Sequence, residues 1–302
     1  MTISAKPLVI IGQHGLGDNI YARPFIRAAA KRRPTYLQTP WPELFADLPV
    51  SFVRPSSRLR TQAKNIERQP RTLWTDAPVC CDVVKLAYGH ADFAAGHTIA
   101  QAIEQRLPLE GAPFVFGLPP MGPAISRAKP IALVRPVTVR SEWRNEARNP
   151  LPEYVAHVAQ SLMDTHHVVV VADLSPGFEW LEGELPPHHE AFVQGEFNVR
   201  QLLALAGAAD VIVGGVGWIV PAALALRRPA FVILGGQGQH NSPERITDPR
   251  MNTSLIGFAK PERYCQCANM THKCDKKIPN LHAQWMTWRN GRTYFDTTPT
   301  AI

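Results

Sequence analysis

No uncharged run in this sequence is long enough to cross a bilayer. The one candidate, Val211–Leu226, has 16 residues where a span needs roughly 20. Glycines and Pro221 interrupt it and Arg227-Arg228 end it, so a membrane span is excluded. No basic, apolar, small-residue leader opens the chain, because Leu8–Gly12 is too short for a signal-peptide core; a cytoplasmic location is the expectation. Cysteine is scarce, with five residues in 302, an odd number that a cytosolic chain keeps mostly reduced. Long Lys/Arg tracts are missing too. The formal net charge of +7 is modest for this length, so it favours anionic partners such as nucleotide diphosphates, phosphorylated glycans or nucleic acid without demanding the last. The 28 prolines sit largely in short connections, which rules out one long low-complexity block.

What is present is apolar residue in short, continuous runs. At 302 residues and 45% hydrophobic the chain exceeds what one core usually serves, and two domains are expected. The segment Ala209–Gly236 reads as strand, glycine turn, helix, strand. Asp210–Val213 leads into Gly214-Gly215-Val216-Gly217, Trp218–Leu226 is Ala/Leu-rich with Pro221 near its start, and Ala230–Leu234 closes on Gly235-Gly236. Continuous rather than alternating hydrophobicity suits parallel strands covered on both faces. Glycines at a strand end allow close backbone approach, and the following helix N-terminus favours an anion, so Gly215, Gly217 and Trp218 are candidate phosphate contacts.

The N-terminus repeats the pattern: Lys6–Gly12 as a strand, Gly12-Gln13-His14-Gly15-Leu16-Gly17-Asp18 as a turn, and Asn19–Arg33 as a helix. Gly15 and Gly17 join the candidate ligand contacts. Asp18 either caps the helix or presents a carboxylate to a cleft. Further strands are expected at Thr35–Gln38, Val50–Val53, Leu73–Thr75, Val83–Leu86, Pro130–Pro136 and His166–Ala172. Helices are expected at His97–Gln105, Pro152–Asp164, Val199–Ala208 and Leu281–Trp288, and Leu174–Glu184 as loop and short helix. The basic stretch Arg54–Arg71 reads as a solvated face or as the surface that meets an anionic acceptor. Strand–helix alternation twice over predicts an α/β protein of two doubly wound, Rossmann-like domains facing a central cleft: residues 1–128, 129–280, and a terminal helix and frayed tail at 281–302 returning toward the first domain.

Three segments carry a resemblance. GQHGLGDNIYARPFIRAAAKR, RPVTVRSEW…RNPLPEYVAHVAQSL and FNVRQLLALAGAADVIVGGVGWIVPAALALRRPAFVILGG together resemble, in order and spacing, the ADP-heptose:lipopolysaccharide heptosyltransferases of glycosyltransferase family 9. The resemblance implies a GT-B fold and inverting, metal-independent transfer of a sugar from a nucleotide-sugar co-substrate to a hydroxyl acceptor, with Asp18 as general base. It also implies that Glu179 meets the donor's ribose. Arg135, Arg140 and Arg148 are candidates to stabilise the leaving diphosphate. The family's last glycine turn usually reads Asp-Thr/Ser-Gly with a His three residues on; here Gly215, Val216, Gly217 and Val220 stand there, which bears directly on donor identity. His240, after Gly235-Gly236, is a candidate replacement donor contact.

Cys265-x-Cys267 with His272-x-Cys274 puts four soft ligands within ten residues, suited to a structural zinc ion or iron–sulfur centre; reduced structural thiols and a disulfide are the alternatives. Adjacent Cys80-Cys81 reads as buried packing. An anionic glycan is the acceptor expected. A hydroxylated DNA base as acceptor, a non-catalytic sugar-nucleotide-binding relative, and a metal-stabilised interaction module are the rival readings.

Overall fold

A computed structural model describes residues 6–122 and 125–291. The first half contains β1 (Leu8–Ile11), α1 (Leu16–Ala30), β2 (Thr35–Gln38), β3 (Val50–Val53), α2 (Arg60–Arg68), β4 (Asp82–Lys85), α3 (His90–Ala94) and α4 (Ile99–Glu104). Its four strands form one parallel sheet in the order β3-β2-β1-β4. β1 is the apolar run LVII, buried between its neighbours, and Leu8 and Ile10 are almost fully enclosed. The second half contains β5 (Ile131–Val134), β6 (Thr138–Arg140), α5 (Pro152–Gln160), β7 (His167–Val171), β8 (Glu179–Leu181), β9 (Glu190–Phe192), α6 (Val199–Ala208), β10 (Val211–Gly215), α7 (Ile219–Leu226), β11 (Ala230–Ile233), α8 (Gly238–Asn241), α9 (Pro243–Ile246), β12 (Ile256–Ala259) and α10 (Leu281–Gly291). Six of its strands form a parallel sheet in the order β12-β11-β10-β5-β7-β9, and β6 pairs antiparallel with β8. The α/β class and the two Rossmann-like sheets agree with the expectation from strand–helix alternation.

Both sheets change winding direction once. In the first the change falls between β1 and β4, in the second between β5 and β10. Such a switch point opens a crevice at the carboxyl ends of the strands, where ligands of open α/β sheets bind. The loops that leave these four strands therefore carry whatever chemistry the molecule has.

The two halves share one apolar core. Leu8, Ile20 and Phe25 of the first belong to the same buried cluster as Ile131, Leu133 and Ile219 of the second. Helix α1 lies directly on α7. Gly17 makes this possible: a Cβ there would stand 3.2 Å from both the Trp218 Cα and the Pro221 Cγ. Two hydrogen bonds cross the seam under cover, Tyr21 Oη donating to the Ile246 carbonyl at 2.5 Å and Thr98 Oγ1 to Asp248 at 3.1 Å.

Several expectations need correction. The polar segment RTQAKNIER is helix α2, not a featureless basic face. Arg60 donates to the Asp173 carboxylate at 3.0 Å, Lys64 to the Gly195 carbonyl at 2.9 Å and Arg68 to the Phe197 carbonyl at 3.2 Å, all in the second half. Arg60, Lys64 and Arg68, three of the cations expected to meet an anionic acceptor, are thus engaged within the chain. Residues Leu174–Glu184 contain strand β8 rather than a short helix. At Leu73–Thr75 the chain forms only a 3-10 turn, Arg71–Leu73, and a single bridge from Trp74 to Phe52. Cys80 is exposed, so Cys80-Cys81 is not core packing. Helix α10 packs on α5 and β12 of the second half, with Trp285 1% exposed against Phe231; the tail expected at 292–302 lies outside the described residues.

Candidate active site

The loops after β1, β4, β5 and β10 line one cavity of about 750 Å³ between the halves. Helix α1 starts at Leu16, earlier than its sequence suggested, which puts Asp18 in the first turn instead of ahead of it. Asn19 shapes this turn by donating to the Gln13 and Gly15 carbonyls, both at 2.8 Å, while its own oxygen accepts from Thr39 at 2.7 Å.

The Asp18 carboxylate is held at Oδ1 by a side chain that follows β4, the neighbouring strand of the sheet. Oδ1 accepts the Tyr88 phenol proton. Oδ2 folds back over Gly15, where a Cβ would sit 2.3 Å from it. Asp18 stands in the first turn, where its charge complements the helix dipole, and it also lines the cavity. Burial raises the Asp18 pKa above its ordinary value, opposed by the Tyr88 and Gly15 hydrogen bonds and by Arg148 and His14.

The three predicted arginines enter the same cavity from the second half. Arg135 follows β5, Arg140 ends β6 and Arg148 lies on the loop before α5; all three line the cavity. Burial, then the charges of Arg148 and Arg140, lowers Arg135 to about 10. Burial and Arg140 lower Arg148 as well, partly offset by Asp18. The buried Nε of Arg148 has no hydrogen-bond partner among the described residues. Buried polar groups are almost always paired, so three guanidinium groups at close quarters with an orphan donor describe a site built for an anion. Of the three, only Arg140 has a carboxylate of the described residues directly opposite, Glu179 Oε2 at 2.8 Å. Glu179 is itself only 4% exposed and also accepts from Thr138 at 2.8 Å, so its carboxylate is largely occupied by protein.

The glycines do something different from what their spacing suggests. A Cβ on Gly215 would meet Pro150 Cδ at 2.8 Å, one on Gly235 the Asn149 carbonyl at 2.1 Å, and one on Gly236 Cys274 Sγ at 2.3 Å. The close approach at these strand ends is by the chain's own Ala147–Pro150 segment, which presents Arg148. Gly215 does not line the cavity, and the approach at Gly17 is to α7. Gly217 does face a charge, because a Cβ there would lie 3.2 Å from Arg135 Nη1. Where the resembled family carries an acidic residue, this turn carries an arginine overhead.

Trp218 and His240 both line the cavity. His240 packs against Phe93 with centroids 4.9 Å apart and rings tilted by 36°, and meets His90 edge-on at 5.9 Å; burial and His90 lower its pKa, which keeps the ring neutral near pH 7. Tyr88, Asn145 and Asn19 escaped sequence reasoning. A lone tyrosine between Ala87 and Gly89 carries no periodic or motif signal.

Beside the arginines, Cys265, Cys267, His272 and Cys274 gather their donor atoms within 4.8 Å of one another. Cys267 and Cys274 sulfurs are 3.5 Å apart, and His272 Nδ1 is 3.3 Å from Cys274 and 3.5 Å from Cys265. A tetrahedral ion with Zn–S of about 2.3 Å has edges of roughly 3.8 Å, so the four residues fit one ion. The set is too tight for a multi-iron cluster. None of the five cysteines is in a disulfide. The loop that bears the cluster also braces the arginine loop: the Ala147 N–H donates to the Met270 carbonyl at 3.0 Å and Lys276 to the Glu146 carbonyl at 2.8 Å.

No protein-family profile matches the chain, and no curated protein matches it. Solved structures do. TibC, an iron-containing dodecameric heptosyltransferase in complex with ADP-D-β-D-heptose, superposes with a TM-score of 0.57 at 16% identity over 97% of this chain and 80% of its own. The same glycosyltransferase from enterotoxigenic E. coli gives 0.59 at 15% identity, covering 95% and 77%. ADP-heptose lipopolysaccharide heptosyltransferase II of E. coli gives 0.50 at 14% identity, covering 94% and 99%. With identities this low the likeness speaks to architecture, and on that architecture it agrees with the sequence motifs: the chain has the GT-B fold.

Proposed function

We propose that this chain is an inverting glycosyltransferase that moves a sugar from a nucleotide-sugar donor to a hydroxyl acceptor, with Asp18 as general base. The observation that carries the reading is that one cavity is lined by a carboxylate from the first half and three guanidinium groups from the second. Asp18 takes the proton from the acceptor hydroxyl as its oxygen bonds to the anomeric carbon. The bond from that carbon to the diphosphate breaks on the opposite side, and the departing charge meets Arg135, Arg140 and Arg148. Attack and departure on opposite sides invert the anomeric centre. The arginines supply the positive charge this step needs, so added divalent cations are not required for it. Arg135 above Gly217 replaces the polar groups that the resembled family keeps in this turn, which supports a donor pocket with altered selectivity.

Nucleotide sugars are therefore expected to stabilise the folded protein. A ligand at 100 times its Kd adds about 2.7 kcal/mol, a shift of several degrees in a thermal melt. A panel of ADP- and UDP-sugars, with the free nucleoside diphosphates, tests this: at least one raises Tm. A panel in which neither a sugar nor a diphosphate moves Tm sinks the proposal.

We further propose that the cysteine–histidine cluster holds one structural zinc or iron ion. Three thiolates and one imidazole fill a tetrahedron, which leaves no open position for substrate, and the ion's contribution is to fold the loop. Elemental analysis of purified protein is expected to find close to one equivalent. Stripping it, or Cys274→Ser, should lower Tm while helices and strands persist; protein that carries no metal and melts unchanged with chelator argues against the ion.

A further inference from the structure

We infer that Tyr88 is a positioning residue for the transfer step, its phenol fixing the plane of the Asp18 carboxylate at the point where the acceptor hydroxyl arrives. The inference rests on the proposal that Asp18 is the base. It is carried by topology as well as contact. The winding of the first sheet reverses between β1 and β4, and these strands deliver Asp18 and Tyr88 from 70 residues apart into the same crevice. With Oδ1 on the Tyr88 phenol, rotation of the carboxylate breaks that hydrogen bond, and each oxygen keeps a lone pair for the incoming hydroxyl. Tyr88 is itself wedged. Its ring meets Phe93 edge-on at 5.7 Å, and Phe93 in turn packs at a tilt against His240 from the second half. The orientation of the base is thereby tied to the wall that holds the donor.

The phenol acts as a donor throughout the working pH range. Burial, then the Asp18 charge, pushes its pKa well above the usual value, so it remains protonated. The other charged or titratable groups that face Asp18 are His14 from the glycine turn, Tyr21 from α1 and Arg148 from the second half. A hydrogen bond to the charged form favours that form, so Tyr88 holds the carboxylate lower than burial alone would leave it.

Tyr88→Phe deletes one O–H and keeps the ring packing, which makes it the informative variant. In protein labelled with 13C at aspartate carboxyl carbons, the Asp18 signal is identified by its loss in Asp18→Asn, and no substrate is needed to titrate it. The expected result is a midpoint moved to higher pH in Tyr88→Phe, with Tm little changed. Turnover, read as nucleotide release from whichever donor the thermal panel identifies, should fall on the order of 10- to 100-fold in kcat with donor KM unchanged. Its acid limb should move the same way as the NMR midpoint. A midpoint that stays in place or moves down, with Asp18→Asn inactive, overturns the role of Tyr88 alone. Full activity in Asp18→Asn overturns the base reading and this role with it.

Discussion

Replacing Asp18 with asparagine is expected to slow sugar transfer by roughly 10²–10⁴-fold while leaving donor affinity intact. Asparagine matches aspartate in shape, and its amide oxygen can still accept the Tyr88 phenol proton that Oδ1 accepts now. What it lacks is the capacity to take a proton. The variant thus separates chemistry from binding: thermal stabilisation by the donor should persist, and nucleotide release should not. Fold stability should hold or rise near neutral pH. Burial raises the folded-state pKa of Asp18, so the charged carboxylate is disfavoured in the native state, and a neutral amide removes that penalty. The same shift fixes the pH dependence. Transfer needs the deprotonated base, so the wild-type rate should climb with pH through a midpoint above the ordinary aspartate range. Retention of full turnover by Asp18→Asn would require a different base.

Arg148→Met is expected to weaken nucleoside diphosphate binding by about 2–4 kcal/mol, roughly 30- to 1,000-fold in Kd. The stability of the unliganded protein should move the other way or stay level. Arg148 is half-buried, repelled by Arg140, and has a buried Nε with no partner among the described residues. Methionine fills similar volume without charge, so it relieves repulsion among the guanidinium groups in the empty site and removes a ligand contact from the full one. Opposite signs for affinity and apo stability are the mark of a functional strain rather than a structural ion pair. A calorimetric titration with ADP or UDP beside a melt of each protein reads both. A variant that loses Tm and affinity together would make Arg148 a structural residue. Arg148 also lowers the Asp18 pKa, so in the same variant the acid limb should lie at higher pH.

The sequence carried the sheets and the candidate base far better than the contacts between them. LVII and HVVVV read directly as buried parallel strands because both faces of such strands are covered and alternation disappears. The glycine turn marked Asp18 as either a helix cap or a cleft carboxylate, and only the family resemblance singled it out as the candidate base. Helix α2 was not: in RTQAKNIER the one large apolar residue is Ile66, and the buried face is otherwise Gln62 and Asn65. Polar residues chosen to bridge two domains look like residues chosen for water. The glycines at 215, 235 and 236 announced correctly that something lies close, but spacing cannot say whether it is a phosphate or the chain's own carbonyl. Strand β8 hid because its one strand partner, β6, is distant in the chain and as short as β8 itself.

The seating of α1 on α7 has a mechanical consequence. With Gly17 against the Trp218 backbone, the separation of the two walls is set by main chain resting on main chain. In the proposed transfer the cavity would work as a caliper with a fixed jaw: a donor and acceptor would react when their combined length spans the gap from arginine to carboxylate, and a shorter or longer pair would fall short of one group. A single methyl group at Gly17 would be a shim in that caliper, far smaller than any substrate and placed where every substrate would register it.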